Sequence, residues 1–415
     1  MDETVDVFLW PEKPVGRLWF RSSNGRESAS FQYDPTWLTG EGGQNANFAL
    51  EPALNFSAET FHTRNMSLFG AFGDSTPDRW GRNLMRRREE RQARIAGKMP
   101  RSLSEIDFLL EVNDEARPGA LRFKKPESGE FLSVSEKNAI PTLAALPALL
   151  SASERFLESN ESDEDLRLLF APGSSLGGAR PKASFYDSGD LSVAKFPRKD
   201  DDFSSTLREA LALSLAQKAG IQVPSWRIET ALKKPVLILK RFDRQGQKRI
   251  PFLSAMSMLG ARDNEEHSYL EIACALIQYG AQPIDDLEEL WRRLVFNICI
   301  SNTDDHLRNH GFLFLSQADN ALSSGWRLSP AYDMNPVPHQ AGPPLLSLSV
   351  DMVSRQASLD TALSVIGEFK LEKEKALLVL DEVYRAVKDW QNTARSLGIH
   401  RAETERMAGA FEAIN

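Results

Sequence analysis

The residues best placed to do chemistry lie between Asn302 and His310. This polar run has an apolar helical stretch before it (Leu294, Val295, Ile298) and a strand-like Phe312-Leu313-Phe314-Leu315 after it. A polar loop held between two buried elements is where a scaffold presents functional groups. Within it Asp304 and Asn309 stand five positions apart, the first able to take a proton and the second to offer an amide oxygen to a cation. A second acidic loop, Ser329-Pro330-Ala331-Tyr332-Asp333, ends eighteen residues beyond Leu315. Three oxygen-bearing side chains on two loops would suit Mg²⁺ carrying the phosphates of ATP.

Other readings of the same residues exist. Asp and Asn are ordinary turn formers, so a loop without chemistry is the plain alternative. His306 and His310, four apart, would put two imidazoles on one helical face and invite zinc. Gly311 and the strand pattern after it argue against a helix there, and neither cysteine lies beside the pair to complete a familiar site.

The elements that must position these groups come from a chain of 415 residues, 41% hydrophobic and 26% charged, enough for a large core and two domains. Residues 1–10 lack the basic and apolar regions of a signal peptide, and no run of about 18 apolar residues occurs, so a cytoplasmic protein with no membrane partner is expected. Cys274 and Cys299 sit in apolar helical runs and read as small buried hydrophobes. A net charge of -8 argues against the whole chain binding nucleic acid strongly. One stretch departs from that balance: seven arginines fall in the sixteen residues Arg79 to Arg94, with Trp80, Leu84 and Met85 at helical spacing. A solvated face is the simpler reading of this basic amphipathic helix, and contact with phosphate or an acidic partner the other.

In chain order, residues 5–33 alternate with period two around a Ser-Asn-Gly turn at 23–25 and predict a small antiparallel sheet. Residues 57–98 read as helical around a loop at 72–78, with Ser75 or Thr76 as N-cap and Pro77 at the first helical position. Residues 126–130 read as a linker, and the Ser- and Glu-rich stretch 151–165 puts the boundary of the next unit near residue 165. Then comes Pro172-Gly173-Ser174-Ser175-Leu176-Gly177-Gly178, whose glycines could let backbone N–H groups converge on a phosphate. The strand Asp190 to Phe196 carries Val193-Ala194-Lys195, close to the Val-Ala-Ile-Lys of a protein-kinase strand whose lysine meets the α- and β-phosphates. A helix starting after Ser204 or Ser205 offers Glu209 as the carboxylate that holds Lys195. The Asp304 and Asn309 spacing is likewise that of a kinase catalytic loop. Val236 to Arg244 is an apolar strand entering a charged turn, as a hinge should; its backbone would serve the adenine and Asp243 would accept from a ribose hydroxyl. From 254 onward helical patterns dominate, over 266–279, 285–301, 357–369 and 371–396.

This succession resembles the HipA family, serine/threonine kinases that act as toxins of bacterial toxin–antitoxin pairs. Thr303-Asp304-Asp305-His306-Leu307-Arg308-Asn309 looks like that family's catalytic loop, Ser329 to Asp333 like its metal loop, and Leu239-Lys240-Arg241-Phe242-Asp243-Arg244 like its hinge. Val15-Gly16-Arg17-Leu18 and Tyr33-Asp34-Pro35-Thr36-Trp37-Leu38 look like its N-terminal subdomain.

The resemblance implies an α+β, two-lobed protein-kinase-like fold with a β-rich N-terminal cap and a mainly α-helical C-terminal lobe, divided as 1–125, 165–250 and 251–415. It makes Asp304 the general base and His306 a support of the loop. Asn309 and Asp333 become Mg²⁺ ligands. Lys195, Glu209, Lys240, Phe242, Asp243, Ser175, Leu176, Gly177 and Gly178 become the ATP contacts, and Ser175 the autophosphorylated serine. The implied partners are a protein substrate, such as an aminoacyl-tRNA synthetase or another translation component, and a helix-turn-helix antitoxin resembling HipB, through which the chain would meet operator DNA as a dimer. A small-molecule kinase and a non-catalytic co-repressor are the competing readings.

Overall fold

In a computed structural model, residues 2–23, 25–40, 48–134, 139–170, 178–198, 204–316, 323–338 and 344–414 are described. They fall into two compact units, Met1–Lys199 with Thr230–Leu253, and Asp200–Glu229 with Ser254–Asn415. The ranges 1–125 and 165–250 therefore share one unit, apart from 200–229. The stretch 151–165, expected to lead to a unit boundary near residue 165, lies partly in a helix that runs over Leu146–Leu157, and both sides of residue 165 belong to one unit.

The first unit opens on a five-stranded antiparallel sheet of β1 (Asp2–Leu9), β2 (Lys13–Ser23), β3 (Arg26–Tyr33), β4 (Phe61–His62) and β5 (Leu121–Lys124) in the order β4-β3-β2-β1-β5. Its alternation is real: Val5, Val7, Val15, Leu18, Phe20, Phe31 and Tyr33 are buried while intervening residues face out. Gly16 is required, because a Cβ there would lie 2.2 Å from the Gln32 carbonyl oxygen and inside the Phe31 ring contact. A short helix α1 (Pro35–Thr39) follows, capped by Asp34, and then α2 (Gly70–Gly73).

The arginine-rich helix α3 (Arg79–Ile95) starts two residues later than expected, at Arg79 and not at Pro77. Asp78, with extended backbone, is its N-cap and accepts from the Gly81 N–H at 2.9 Å, so neither Ser75 nor Thr76 caps it. With α4 (Glu105–Glu111), α5 (Leu146–Leu157) and α6 (Asp163–Phe170), it leads to the antiparallel strands β6 (Lys182–Asp187), β7 (Asp190–Lys195) and, after β8 (Trp226–Ala231), β9 (Lys234–Lys240). Trp80 and Leu84 of α3, Leu150 and Phe156 of α5 and Leu169 of α6 form one core with Phe185, Ala194 and Ile238 of these strands. A hairpin, β10 (Arg244–Gln245) and β11 (Lys248–Arg249), and β12 (Phe252–Ser254) follow.

The second unit is mainly helical. α7 (Ser205–Lys218) is buried around most of its circumference, and Lys218 ties it to Thr393 at 2.7 Å, so Glu209 belongs here and not with residues 165–250. After α8 (Ala255–Met258), α9 (Tyr269–Tyr279) begins at a capping box of Ser268 and Glu271, and α10 (Pro283–Cys299) has Pro283 in its first turn. Every residue of α10 from Leu290 to Cys299 is buried. The hairpin β13 (Gly311–Leu315) and β14 (Gly325–Leu328) then precedes α11 (Leu359–Ser364), α12 (Lys373–Lys388), α13 (Trp390–Ser396) and α14 (Arg401–Met407). Both cysteines are free; Cys299 is buried as expected, whereas Cys274 is exposed on the outer side of α9.

Candidate active site

The Asn302–His310 loop is built on the end of α10. The chain leaves the helix through Ser301, whose φ of 50° is left-handed, and the Asn302 N–H returns to the Asn297 carbonyl at 2.9 Å. Two adjacent carboxylates then part company. Asp305 is buried and accepts from Asn297 Nδ2 at 2.8 Å and from the Tyr269 hydroxyl, and it meets His310 Nε2 at 2.8 Å. Burial pushes its carboxyl up, but the His310 charge and these hydrogen bonds outweigh that and hold it below its usual range. The Tyr269 phenol is pushed far up by burial and by the Asp305 charge, which keeps it a donor. Asp304 is exposed.

A single 3₁₀ turn, Leu307–Asn309, follows, with His306 before it and His310 after it in extended backbone. The two imidazoles thus share no helical face. Asn309 donates its amide N–H to the Asp304 carbonyl at 3.1 Å, which leaves the amide oxygen to ligate a cation. His306, expected to steady the loop, has a buried Nδ1 with no hydrogen-bond partner, and the histidine that engages a loop carboxylate is His310.

The second acidic loop is stitched to the first. The Tyr332 hydroxyl donates to the Arg308 carbonyl at 2.7 Å, the Asn335 N–H reaches Asn302 Oδ1 at 3.4 Å, and Ser347 clamps the Thr303 carbonyl through its N–H at 3.1 Å and its hydroxyl at 2.8 Å. Between the first two anchors Asp333 takes a φ of 59°. A non-glycine residue held there costs on the order of 1 kcal/mol or more and persists when its flanks are fixed, as they are at 332 and 335. The stitching brings Asp304, Asn309 and Asp333 onto neighbouring loops of one unit. One carboxylate and one amide oxygen suit Mg²⁺, which keeps several waters and takes phosphate oxygens for the rest. Among the described residues no group of three or more His, Cys, Asp or Glu is gathered to hold a metal.

In the first unit Lys195 is buried at the end of β7, with Lys182 as its register partner on β6. Lys182 is itself buried and donates to Asp78 at 2.6 Å and to the Gly178 carbonyl at 2.8 Å, so the N-cap of α3 also anchors the foot of the glycine segment. Ser175, Leu176 and Gly177 lie outside the described residues. Lys240 pairs with Asp190 at 2.5 Å on the surface. Phe242 is half-buried, its ring 6.1 Å from that of Phe252.

Asp243 needs correction. It is 0% exposed, and its oxygens accept from Arg241 Nε at 2.7 Å, Arg244 Nη1 at 2.9 Å and the Gly119 N–H at 2.8 Å, which leaves nothing for a ribose hydroxyl. Gly119, at φ 71°, is the residue type that brings its N–H to that carboxylate without strain.

The arginines of α3 are largely engaged within the unit. Arg82 makes a forked pair with Glu105, Arg91 pairs with Asp163, and Arg87 pairs with Glu161 at 3.5 Å. Arg86 and Arg88 lie over the rings of Phe108 and Phe170. The helix is thereby fastened to α4 and α6.

Fold and site together define a two-unit α+β protein whose helical unit joins a polar loop, 302–310, to an acidic loop, 329–333. Comparison with known proteins places it more narrowly. Residues 5–124 match the HipA N-terminal domain and residues 174–391 the HipA-like C-terminal domain, so the chain belongs to the HipA family. The fold is similar to that of HipA of Shewanella oneidensis, solved with HipB and its operator DNA, at a TM-score of 0.69 and 14% identity, covering 99% of this chain and 95% of that one. A protein of Haemophilus influenzae, provisionally named a kinase, is 26% identical over 159 residues, 34% of this chain and 44% of its own length. The chain thus spans less than half of that relative. Among the described residues no helix is long and apolar enough to cross a membrane.

Proposed function

We propose that the chain is an ATP-dependent protein serine/threonine kinase of HipA type. The observation that carries this reading is the split between Asp305, buried on Tyr269, Asn297 and His310, and Asp304, exposed beside it: a charged anchor fixes the loop while its neighbour faces the solvent, where a hydroxyl can approach. Asp304 accepts the proton of the substrate hydroxyl as its oxygen attacks the γ-phosphorus and the bond to the β-phosphate oxygen breaks. Asn309 and Asp333 hold Mg²⁺, which when bound neutralises charge on the β- and γ-phosphates. Lys195 holds the phosphates, and the backbone at Lys240 and Phe242 serves the adenine.

The same reading makes Ser175 the autophosphorylated residue and a translation component the substrate, in the cytoplasm. Because a structurally similar HipA was solved with HipB and operator DNA, a helix-turn-helix antitoxin is the proposed restraint, with the chain as a dimer in that complex.

The test is phosphoryl transfer from labelled ATP. Asp304→Asn should keep the fold and nucleotide binding and lower transfer by about 10² or more, the usual effect of removing a general base. Asp333→Ala should weaken Mg²⁺-dependent ATP binding as well. Transfer unchanged in both variants would overturn the kinase assignment built on these residues, and no transfer by the unaltered chain would favour a non-catalytic co-repressor.

A further inference from the structure

Three asparagines join the two loops of the helical unit from below their functional side chains. Asn297, in α10, is 2% exposed, and Asn302, at the head of the polar loop, is 1% exposed. Asn297 Nδ2 donates to Asp305 at 2.8 Å, and Asn302 Nδ2 donates to Asn297 Oδ1 at 3.1 Å. Asn302 Oδ1 accepts from the Asn335 N–H at 3.4 Å, and Asn335 Nδ2 donates to the Asp333 carbonyl at 3.4 Å. A continuous chain of hydrogen bonds thus leads from the carboxylate that anchors Asp304's loop to the residue assigned to the cation.

Ending α10 does not require the Asn302 side chain, because the bond that closes the turn, from the Asn302 N–H to the Asn297 carbonyl at 2.9 Å, is made by backbone alone. Burying an amide costs free energy unless both of its ends are hydrogen-bonded. At Asn302 both are, the donor toward α10 and the acceptor toward the acidic loop. An aspartate there would set an oxygen against Asn297 Oδ1, and an apolar residue would strand both partners. The far end of the chain is a strained point: Asp333 holds a φ of 59°, and Asn335 fastens its carbonyl from two residues on.

We propose that Asn302 is a positioning residue for the cation site. It is neither base nor ligand; through Asn335 it holds Asp333 in register with the loop of Asp304 and Asn309. This rests on the assignment of Asn309 and Asp333 to Mg²⁺ in the kinase reading.

Mn²⁺ binding to the full chain in the presence of a non-hydrolysable ATP analogue, followed by the paramagnetic resonance of the free ion and corrected for binding to the analogue alone, tests it without turnover. Asn302→Ala should weaken Mn²⁺ roughly five- to tenfold, the worth of one neutral hydrogen bond. Ser347→Ala, which loosens the same polar loop at Thr303 without touching the asparagines, should change it by less than about twofold. Asn335→Ala, a milder truncation at a half-buried position, should weaken it about threefold and decides the matter if Asn302→Ala does not fold. Unchanged affinity in Asn302→Ala, or equal losses in Asn302→Ala and Ser347→Ala, overturns the proposal, as does unchanged affinity in Asn335→Ala where only that variant folds. Those results leave the kinase reading standing if Asp333→Ala abolishes Mn²⁺ binding. No Mn²⁺ binding by the unaltered chain overturns both.

Discussion

Asp243 in the first unit and Asp305 in the second are both buried carboxylates surrounded by donors, yet they serve their sequence neighbours differently. Around Asp243 everything turns inward: Arg241 and Arg244 close on it, the Gly119 N–H completes the ring, and the two guanidinium groups go on to bind the carbonyls of Ala116 and Arg117. Two segments far apart in sequence are locked together. Around Asp305 the donors come from α9, α10 and His310, the residue before β13, and the adjacent carboxylate is left exposed. A buried acid whose own neighbours supply the compensating charge makes a lock. One compensated from other elements makes a pedestal, and only the pedestal leaves its neighbours available to a ligand.

The largest test of this contrast is Asp243→Ala. Removing one partner of a buried ion cluster leaves Arg241 and Arg244 uncompensated, so equilibrium urea unfolding should show a loss of about 3–5 kcal/mol. A loss under about 1 kcal/mol, in the range of an exposed pair, coupled with a raised KM for ATP, would instead return Asp243 to the nucleotide site.

Asp305→Asn comes next. It should cost about 1–3 kcal/mol through the donors it strands, and lower kcat with little change in the KM for ATP, because it disturbs Asp304 and not the phosphate contacts. The same variant has a pH signature. The folded Asp305 carboxyl lies below its unfolded value, so the stability it adds is fully present above the ordinary aspartate range, about pH 4, and is lost as pH falls through the folded value. Asp305→Asn should therefore flatten part of the acid limb of a stability-versus-pH curve; an unchanged limb would mean that Asp305 is not the charged anchor.

Tyr332→Phe has the smallest expected effect. It removes only the hydroxyl that ties Asp333's loop to the Arg308 carbonyl, at about 1 kcal/mol, and should reduce phosphoryl transfer several-fold by loosening Asp333. If transfer is untouched, the loops are held by Asn335 and Ser347 alone.

Much of the fold was legible in the chain itself. The period-two alternation of residues 5–33 became β1 to β3, and the helical patterns at 266–279, 285–301 and 371–396 became α9, α10 and α12 with α13. Capping is equally local: Ser268 and Glu271, three apart, start α9 where they fall. At the start of α3 the competing local signals misled, because Pro77 invited a cap before it while Asp78 had the oxygen at the right spacing for the Gly81 N–H. Cys274 shows a similar limit, since an apolar neighbourhood in sequence does not say which side of a helix faces out.

Sequence by itself determined the element types, the polar loop at 302–310 and the acidic loop at 329–333, because periodicity and turn chemistry act over a few residues. It picked Asp304 by its spacing to Asn309, but it could not show which of the adjacent pair Asp304 and Asp305 is buried and which exposed. That choice belongs to Tyr269, thirty-six residues upstream, and to Asn297 and His310, which are close to Asp305 only once α9, α10 and β13 have packed. Nor could it show that Asp243 is closed off by Gly119, 124 residues before it, or that α7 joins the helical unit through Lys218 and Thr393. Those outcomes rest on where desolvated charges find partners, and a partner's distance along the chain carries no information about its distance in space.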